Sequence, residues 1–343
     1  MHQTNRQAMR KWVLHAAGIN HLSLEAAAIP TPGPGEIVVR VEAVSLNYRD
    51  LDVIERKEAN GAPLLPLTPG SDMAGKVVSA GPDVSRFQEG DAVLGTFWAG
   101  WIDGDCPPEA RSLSGSLPGV LTEYVVLHET WAVHAPQTLN AVEAATLPCA
   151  ALTAWFALVE QGKLHAGQTV VMQGTGGVAL FGLQIARAHG ARVIVTSGSD
   201  AKLERALALG ASDVINRTAT PDWAAAVREL TGGRGADHVF ELAGGDNLGA
   251  SVRAVRQGGR ISVIGVLGGY AMSAPSVPMF LGRPTIQGIG VGHRRALEEL
   301  VRAIDFAGIK PVIDSVYAFD QLPDALAHLE RGAFGKLVVR VGG

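Results

Sequence analysis

The chain has only two cysteines, Cys106 and Cys149, and neither stands in a CxxC pair. That shortage excludes a disulfide framework and a structural zinc site of the paired-cysteine kind. Charge is also scarce: Asp, Glu, Lys and Arg make up 18% of the residues, and 29 basic against 33 acidic side chains leave a formal net charge of −4. No chain-wide basic surface exists to attract phosphate backbones or anionic lipids, so neither nucleic acid nor a membrane surface is an expected partner. Although 47% of residues are hydrophobic, no window of about 18 apolar residues runs free of charge, glycine or proline, and no transmembrane helix is expected. Residues 1–11 (MHQTNRQAMRK) are polar and do not lead into the apolar core of a secretory signal. A cytoplasmic protein is the expectation.

Glycine, by contrast, is abundant: 42 residues, about 12% against a usual 7%. Many tight turns and close backbone approaches are implied. A length of 343 residues predicts two domains, at roughly 150 residues each. In the first half, the segments 36–47, 74–81, 91–95 and 122–127 are short, β-branched and bounded by Pro, Gly or Asp, as strands of a β-rich domain are. Residues 98–119 show no period and read as a long loop, a lobe or lid beside a site. That loop and residues 3–10 are candidates for shaping the pocket.

From Thr169 the rhythm changes to strand then helix, through TVVMQ, RVIVT, DVIN, DHVFE, RISVI and TIQGIGV. Six strands with intervening helices predict a parallel sheet covered on both faces, a complete dinucleotide-binding (Rossmann) fold. The tail, with helices expected over 294–306 and 322–331 and a strand over 337–341, is assigned back to the first domain. The predicted domains are therefore 1–149 with 292–343, and 150–291.

Directly after TVVMQ come Gly174, Thr175, Gly176, Gly177, Val178 and Ala179, a GxGxxA pattern between a strand and an apolar-periodic helix. Gly174 permits the tight turn, Gly176 lets backbone approach a pyrophosphate, and small Ala179 lets helix pack on strand, while the helix start offers N–H groups to the anion. The alternative, a glycine-rich turn that binds nothing, must be weighed against the six-strand context. About 20 residues on, where an acid would grip the ribose 2′-hydroxyl of NAD, stand Ser197, Gly198 and Ser199. Small neutral residues leave room for a 2′-phosphate, and Lys202 and Arg217 can supply positive charge. For Lys202 a solvated surface charge is an equal reading, and Asp200 suits the first turn of a helix. NADPH is expected over NADH.

A β-rich first domain, a GxGGVA fingerprint and a returning tail together resemble the medium-chain dehydrogenase/reductase superfamily. Local motifs agree: PGSDMAG at 69–75, LPCAALTAWFAL at 147–158 and GKLVVRV at 335–341. The resemblance implies a GroES-like catalytic domain beside the Rossmann domain. In the zinc enzymes of that superfamily three ligands stand at the positions of Asn47, Ser71 and Cys149, so two of three are replaced here; the four-cysteine structural lobe is also missing. The chain is thus similar to the zinc-free branch that includes quinone oxidoreductases and enoyl reductases, and no metal is expected. Asn47 and Tyr48 are the catalytic candidates that the resemblance gives, Tyr48 being equally readable as a packing aromatic. Thr153, Ile264, Gly265, Val266 and Val291 are implied at the nicotinamide end, Leu242 against the cofactor, and Lys336 near its pyrophosphate. Asp50 and Asp72 read equally as carboxylates that hold the domain together.

Without a Lewis acid an alkoxide is hard to stabilise as hydride leaves, whereas a quinone or conjugated carbonyl accepts hydride readily. The leading expectation is an NADPH-dependent, zinc-independent reductase of such acceptors. An alcohol dehydrogenase or carbonyl reductase using protein hydrogen bonds, and a dinucleotide-binding protein without robust turnover, are the alternatives. The segment 285–291, at the expected sheet edge, predicts a homodimer with a continuous sheet.

Overall fold

The alternation that begins at Thr169 is realised as a sheet of six parallel strands. Across the sheet they run Asp213–Asn216, Arg192–Ser197, Thr169–Gln173, Ala236–Glu241, Val255–Val263 and Thr285–Gly288. The order reverses beside the first strand, which is where doubly wound sheets bind ligands. The central strands are near-continuous apolar runs because helices cover both their faces: Val170, Val171, Val193, Ile194, Val195, Val239 and Phe240 are fully buried. In this computed structural model residues 8–56 and 65–342 are described, so residues 3–7 of the proposed pocket-shaping segment lie outside them. The chain divides into two units, one of Met1–Leu152 with Gly292–Gly343 and one of Thr153–Val291.

The first unit is built on a seven-stranded sheet. Along one path it runs Ile313–Ala318, Lys336–Arg340, Glu36–Leu46, Asp72–Ala80, Ala92–Gly95 and Ala132–His134, with Tyr124–His128 also pairing with Glu36–Leu46. Its core gathers Ile37, Val39, Leu46, Ile54, Met73 and Leu121, and the helix Leu322–Arg331 closes over it with Leu322, Ala325 and Leu326. The C-terminal strand enters antiparallel to Glu36–Leu46 with Leu337 opposite Leu46. That register brings Lys336 beside the Leu46–Asn47 junction, some 290 residues away in the chain.

Three elements depart from the sequence reading. The tail holds a strand that no apolar alternation announces, Ile313–Ala318, whose side chains are all half-buried or exposed. The strand expected as RISVI begins earlier, at Val255, directly after the helix Asn247–Ala254, so that polar Arg256–Gly259 lie inside a nine-residue strand whose register is irregular where it meets Ala236 and His238. Residues 98–119 contain a two-residue strand pair, Trp98–Ala99 with Arg111–Ser112, too short to carry a period. This lobe is held by individual contacts: Arg49 donates to the Leu113 carbonyl (3.3 Å) and to Ser112 Oγ (3.4 Å) and lies 5.2 Å over the Phe97 ring. Asp103 accepts from Arg295 Nε at 2.8 Å, and the N–H groups of Arg294 and Arg295 donate to the carbonyls of Trp101 and Ile102.

Candidate active site

Unit Thr153–Val291 carries the glycine-rich turn expected to bind phosphate. Gly174 has φ +79°, a left-handed conformation that favours glycine, and its N–H donates to the Thr196 carbonyl at 2.6 Å. Gly176 is the N-cap of the helix Gly177–Ala188 and supplies no side-chain cap. A Cβ built at Gly174 or Gly176 would meet nothing within 4 Å, so main chain at both faces open space. Gly177 and Val178 form the first turn, with Thr175 buried beside them. Uncapped N–H groups at a helix start, approached by side-chain-free backbone, suit a pyrophosphate.

The next strand ends at buried Ser197, whose Oγ accepts the Ser199 N–H (3.3 Å), while Ser199 Oγ accepts from the Lys202 N–H (3.4 Å) as an N-cap. Asp200 is turned aside, accepting from Asn216 Nδ2 at 2.6 Å. The Arg217 N–H donates to the Ser197 carbonyl, and its exposed guanidinium lies over Gly198, where a built Cβ would be 3.7 Å from Nη2. Ser197, Gly198, Ser199 and Arg217 therefore come together; Lys202 is half-buried and already engaged.

Two further loops leave the sheet on the same, C-terminal, side. The Ile264 and Gly265 N–H groups donate to the Glu241 carbonyl, and a Cβ at Gly265 would sit 2.0 Å from the Leu242 oxygen. Only glycine fits that crossing. Val266 beyond it is 37% exposed. Beneath these loops lies a network that the sequence reading missed: fully buried Glu241 accepts from Asn247 Nδ2, Ser251 Oγ, Gln173 Nε2 and the N–H groups of Ala243 and Gly244. It ties the strand before Gly174 to the loop bearing Leu242. Buried Thr153 and Val291 are the first and last residues of the unit.

The first unit holds a buried polar cluster drawn from four segments. Asn47 caps the seven-residue helix Tyr48–Ile54, its N–H donating to Asp50 Oδ2 at 2.7 Å. Its Nδ2 donates to Ser71 Oγ (3.4 Å), Ser71 Oγ donates to Asp72 Oδ1 (2.8 Å), and the Cys149 N–H donates to Asp72 Oδ2 (3.0 Å). Lys336, 4% exposed, donates from Nζ to the Leu46 carbonyl and to Asn47 Oδ1, both at 2.6 Å. Lys336, expected near the pyrophosphate, has its ammonium held in the interior of the first unit by these two oxygens. Burial raises the Asp50 carboxyl to about 6, and Oδ1 of Asp50 is buried without a partner. Burial also raises Asp72, against the pull of the Lys336 charge. Tyr48, in contrast, is 51% exposed.

A catalytic zinc needs three N, S or carboxylate ligands, and this donor set does not fit one. Asn47 and Ser71 offer an amide and a hydroxyl, and burial followed by the Asp72 charge pushes the Cys149 thiol up, away from thiolate. The Lys336 ammonium on Asn47 already places a cation there. Among the described residues no group of three His, Cys, Asp or Glu could hold a metal ion.

Comparison with known proteins finds relatives along nearly the whole chain. A family model described as alcohol dehydrogenase GroES-like domain matches residues 33–137, and one described as zinc-binding dehydrogenase matches residues 177–308. A zinc-type alcohol dehydrogenase-like protein of Schizosaccharomyces pombe is 39% identical over 96% of this chain and 99% of its own. A quinone oxidoreductase of Sus scrofa is 28% identical over 91% of each chain. A solved structure from Sinorhizobium meliloti 1021, named provisionally as an alcohol dehydrogenase, is 54% identical, covers 98% of this chain and 99% of its own, and superposes with a TM-score of 0.93.

Proposed function

Because the chain belongs to the medium-chain dehydrogenase/reductase superfamily and is an NAD(P)-dependent oxidoreductase, we propose that it reduces a quinone or α,β-unsaturated carbonyl with NADPH and without zinc. The observation that carries this reading is the donor set at the superfamily's zinc position: an amide that accepts from a lysine ammonium, a hydroxyl hydrogen-bonded to that amide, and a thiol raised away from thiolate. Such a set cannot stabilise an alkoxide as a metal does, so it favours acceptors whose negative charge is delocalised after reduction. The name of the Sus scrofa relative agrees.

The turn 174–178 would hold the pyrophosphate through main-chain N–H groups, and Ser197, Ser199 and Arg217 would receive a 2′-phosphate, with Lys202 behind them. Leu242, Ile264, Gly265, Val266, Thr153 and Val291 would face the rest of the dinucleotide. When bound, the reduced nicotinamide supplies a hydride to the acceptor. Asn47 donates from Nδ2 to the acceptor oxygen as charge builds on it, and exposed Tyr48 carries a hydroxyl able to return a proton. Strand Thr285–Gly288 is the edge of the parallel sheet, and exposed Phe280 and Leu281 precede it. We propose that a second copy pairs there, which a light-scattering mass of one chain at micromolar concentration would refute.

The test is a parallel titration of metal-stripped protein with NADPH and NADH, followed by turnover of a simple quinone and an enone. Tighter NADPH binding with turnover of either acceptor is expected. Activity that returns only with zinc, or turnover of a saturated alcohol alone, would overturn the proposal in favour of an alcohol dehydrogenase, as the Schizosaccharomyces pombe relative is named.

A further inference from the structure

Asn47 is a candidate donor whose side chain could face either way, since the oxygen and nitrogen of an amide are nearly equal in size. Its orientation is fixed by what surrounds it. An ammonium has protons and no acceptor, so the Lys336 Nζ at 2.6 Å demands Oδ1. On the other side, Ser71 gives its proton to Asp72 at 2.8 Å, which leaves Ser71 Oγ to accept from Asn47 Nδ2. Each bond has one possible direction, from the Lys336 cation through Asn47 and Ser71 to the Asp72 anion. The same ammonium holds the Leu46 carbonyl, one bond before Asn47, so residue 47 is clamped at its main chain and its side chain.

We infer that Lys336 is a positioning residue that fixes and polarises the Asn47 amide, presenting its NH2 as the donor to the oxygen of a conjugated carbonyl or quinone. The inference rests on the reading of Asn47 as the donor in the proposed reduction. A cation on Oδ1 draws electron density toward that oxygen and makes the N–H groups stronger donors, an effect that survives because water is excluded. The resulting donor is neutral and does not titrate in the usual range. It is weaker than a metal, and so suits acceptors that become delocalised anions on reduction.

Three variants test this, alongside the intact enzyme. Lys336→Met should lower kcat for quinone or enone by about tenfold or more, while the NADPH dissociation constant stays within about twofold. Asn47→Asp keeps a partner for Lys336 and guards against misfolding; it should lose kcat to a similar extent, again with NADPH binding retained. In the double variant Lys336→Met/Asn47→Ala the losses should not multiply, because the two residues act as one unit. Full kcat in Asn47→Asp, or a loss of NADPH affinity with intact kcat in Lys336→Met, would overturn the inference. A readout independent of turnover is the side-chain amide NMR signal of Asn47, assigned by its disappearance in Asn47→Asp. It should shift and exchange faster in Lys336→Met; an unchanged signal sinks the inference. If the intact enzyme turns over no quinone or enone, the proposed reaction fails, while this signal still decides whether Lys336 sets the amide.

Discussion

The two units carry their chemistry in different atoms. In Thr153–Val291 the groups proposed to meet a dinucleotide are mainly main-chain N–H groups, left open by glycines at 174 and 176. The chemistry of the other unit lies mostly in side chains, those of residues 47, 71–72 and 336, packed with the Cys149 N–H into one buried cluster. Backbone recognition depends on conformation and survives the loss of any one side chain. A buried cluster of opposite charges is different, because each member is satisfied by its neighbours and removing one leaves the rest exposed to the full cost of burial.

The sharpest way to break that contrast is Asp72→Ala. It strands the Lys336 ammonium in an interior without its anion and should cost about 3–5 kcal/mol of stability in urea denaturation. A loss below about 1 kcal/mol would mean that the Leu46 and Asn47 oxygens suffice for the cation, and that the cluster is no more interdependent than the turn.

A second test uses Asp50, whose carboxyl burial raises from 3.8 to about 6. The folded chain keeps this proton at pH values where the unfolded chain has lost it, so stability falls as pH rises from about 4 through about 6. Asn at this position can still accept the Asn47 N–H. Asp50→Asn should match the parent near pH 4 and exceed it by about 2–3 kcal/mol at pH 7, read from urea melts across that range. Parallel curves would show that Asp50 has its ordinary affinity for the proton.

In the nucleotide unit the corresponding change is smaller and confined to binding. Arg217 is exposed, so Arg217→Ala should leave the melting temperature unchanged. It should weaken NADPH about tenfold while sparing NADH, the loss of one charge-assisted contact to a phosphate. Equal weakening of both cofactors would place Arg217 on the shared part of the dinucleotide.

The same contrast decides what could be read from the sequence. Gly174–Ala179 is legible because the requirement is local: six consecutive residues, a strand before and a helix after. The six parallel strands and the helices between them followed from the alternation of short apolar runs with helical stretches. The partners of Asn47 were not legible. Lys336 opens an apolar strand, and nothing in GKLVVRV says that this lysine is buried or that Leu337 will lie opposite Leu46. Glu241 and Gln173 end their strands in apolar sequence and meet only because those strands are neighbours in the sheet. Strand Ile313–Ala318 escaped notice because a half-buried strand without alternation has no period to detect.

The lobe at 98–119 is tied down by Arg49, Arg294 and Arg295 through carbonyls, one hydroxyl, one carboxylate and one aromatic face. A lobe stapled by a metal stands or falls with its whole set of ligands. One fastened by separate contacts can lose or exchange them singly, each at a small cost, while the rest keep it in place. Arg49 stands between Tyr48 and Asp50, so drift in the lobe is felt at once by the helix that begins at the proposed donor. Successive small changes in this lobe are thus a route by which chains of this build could acquire new acceptors without disturbing the nucleotide turn.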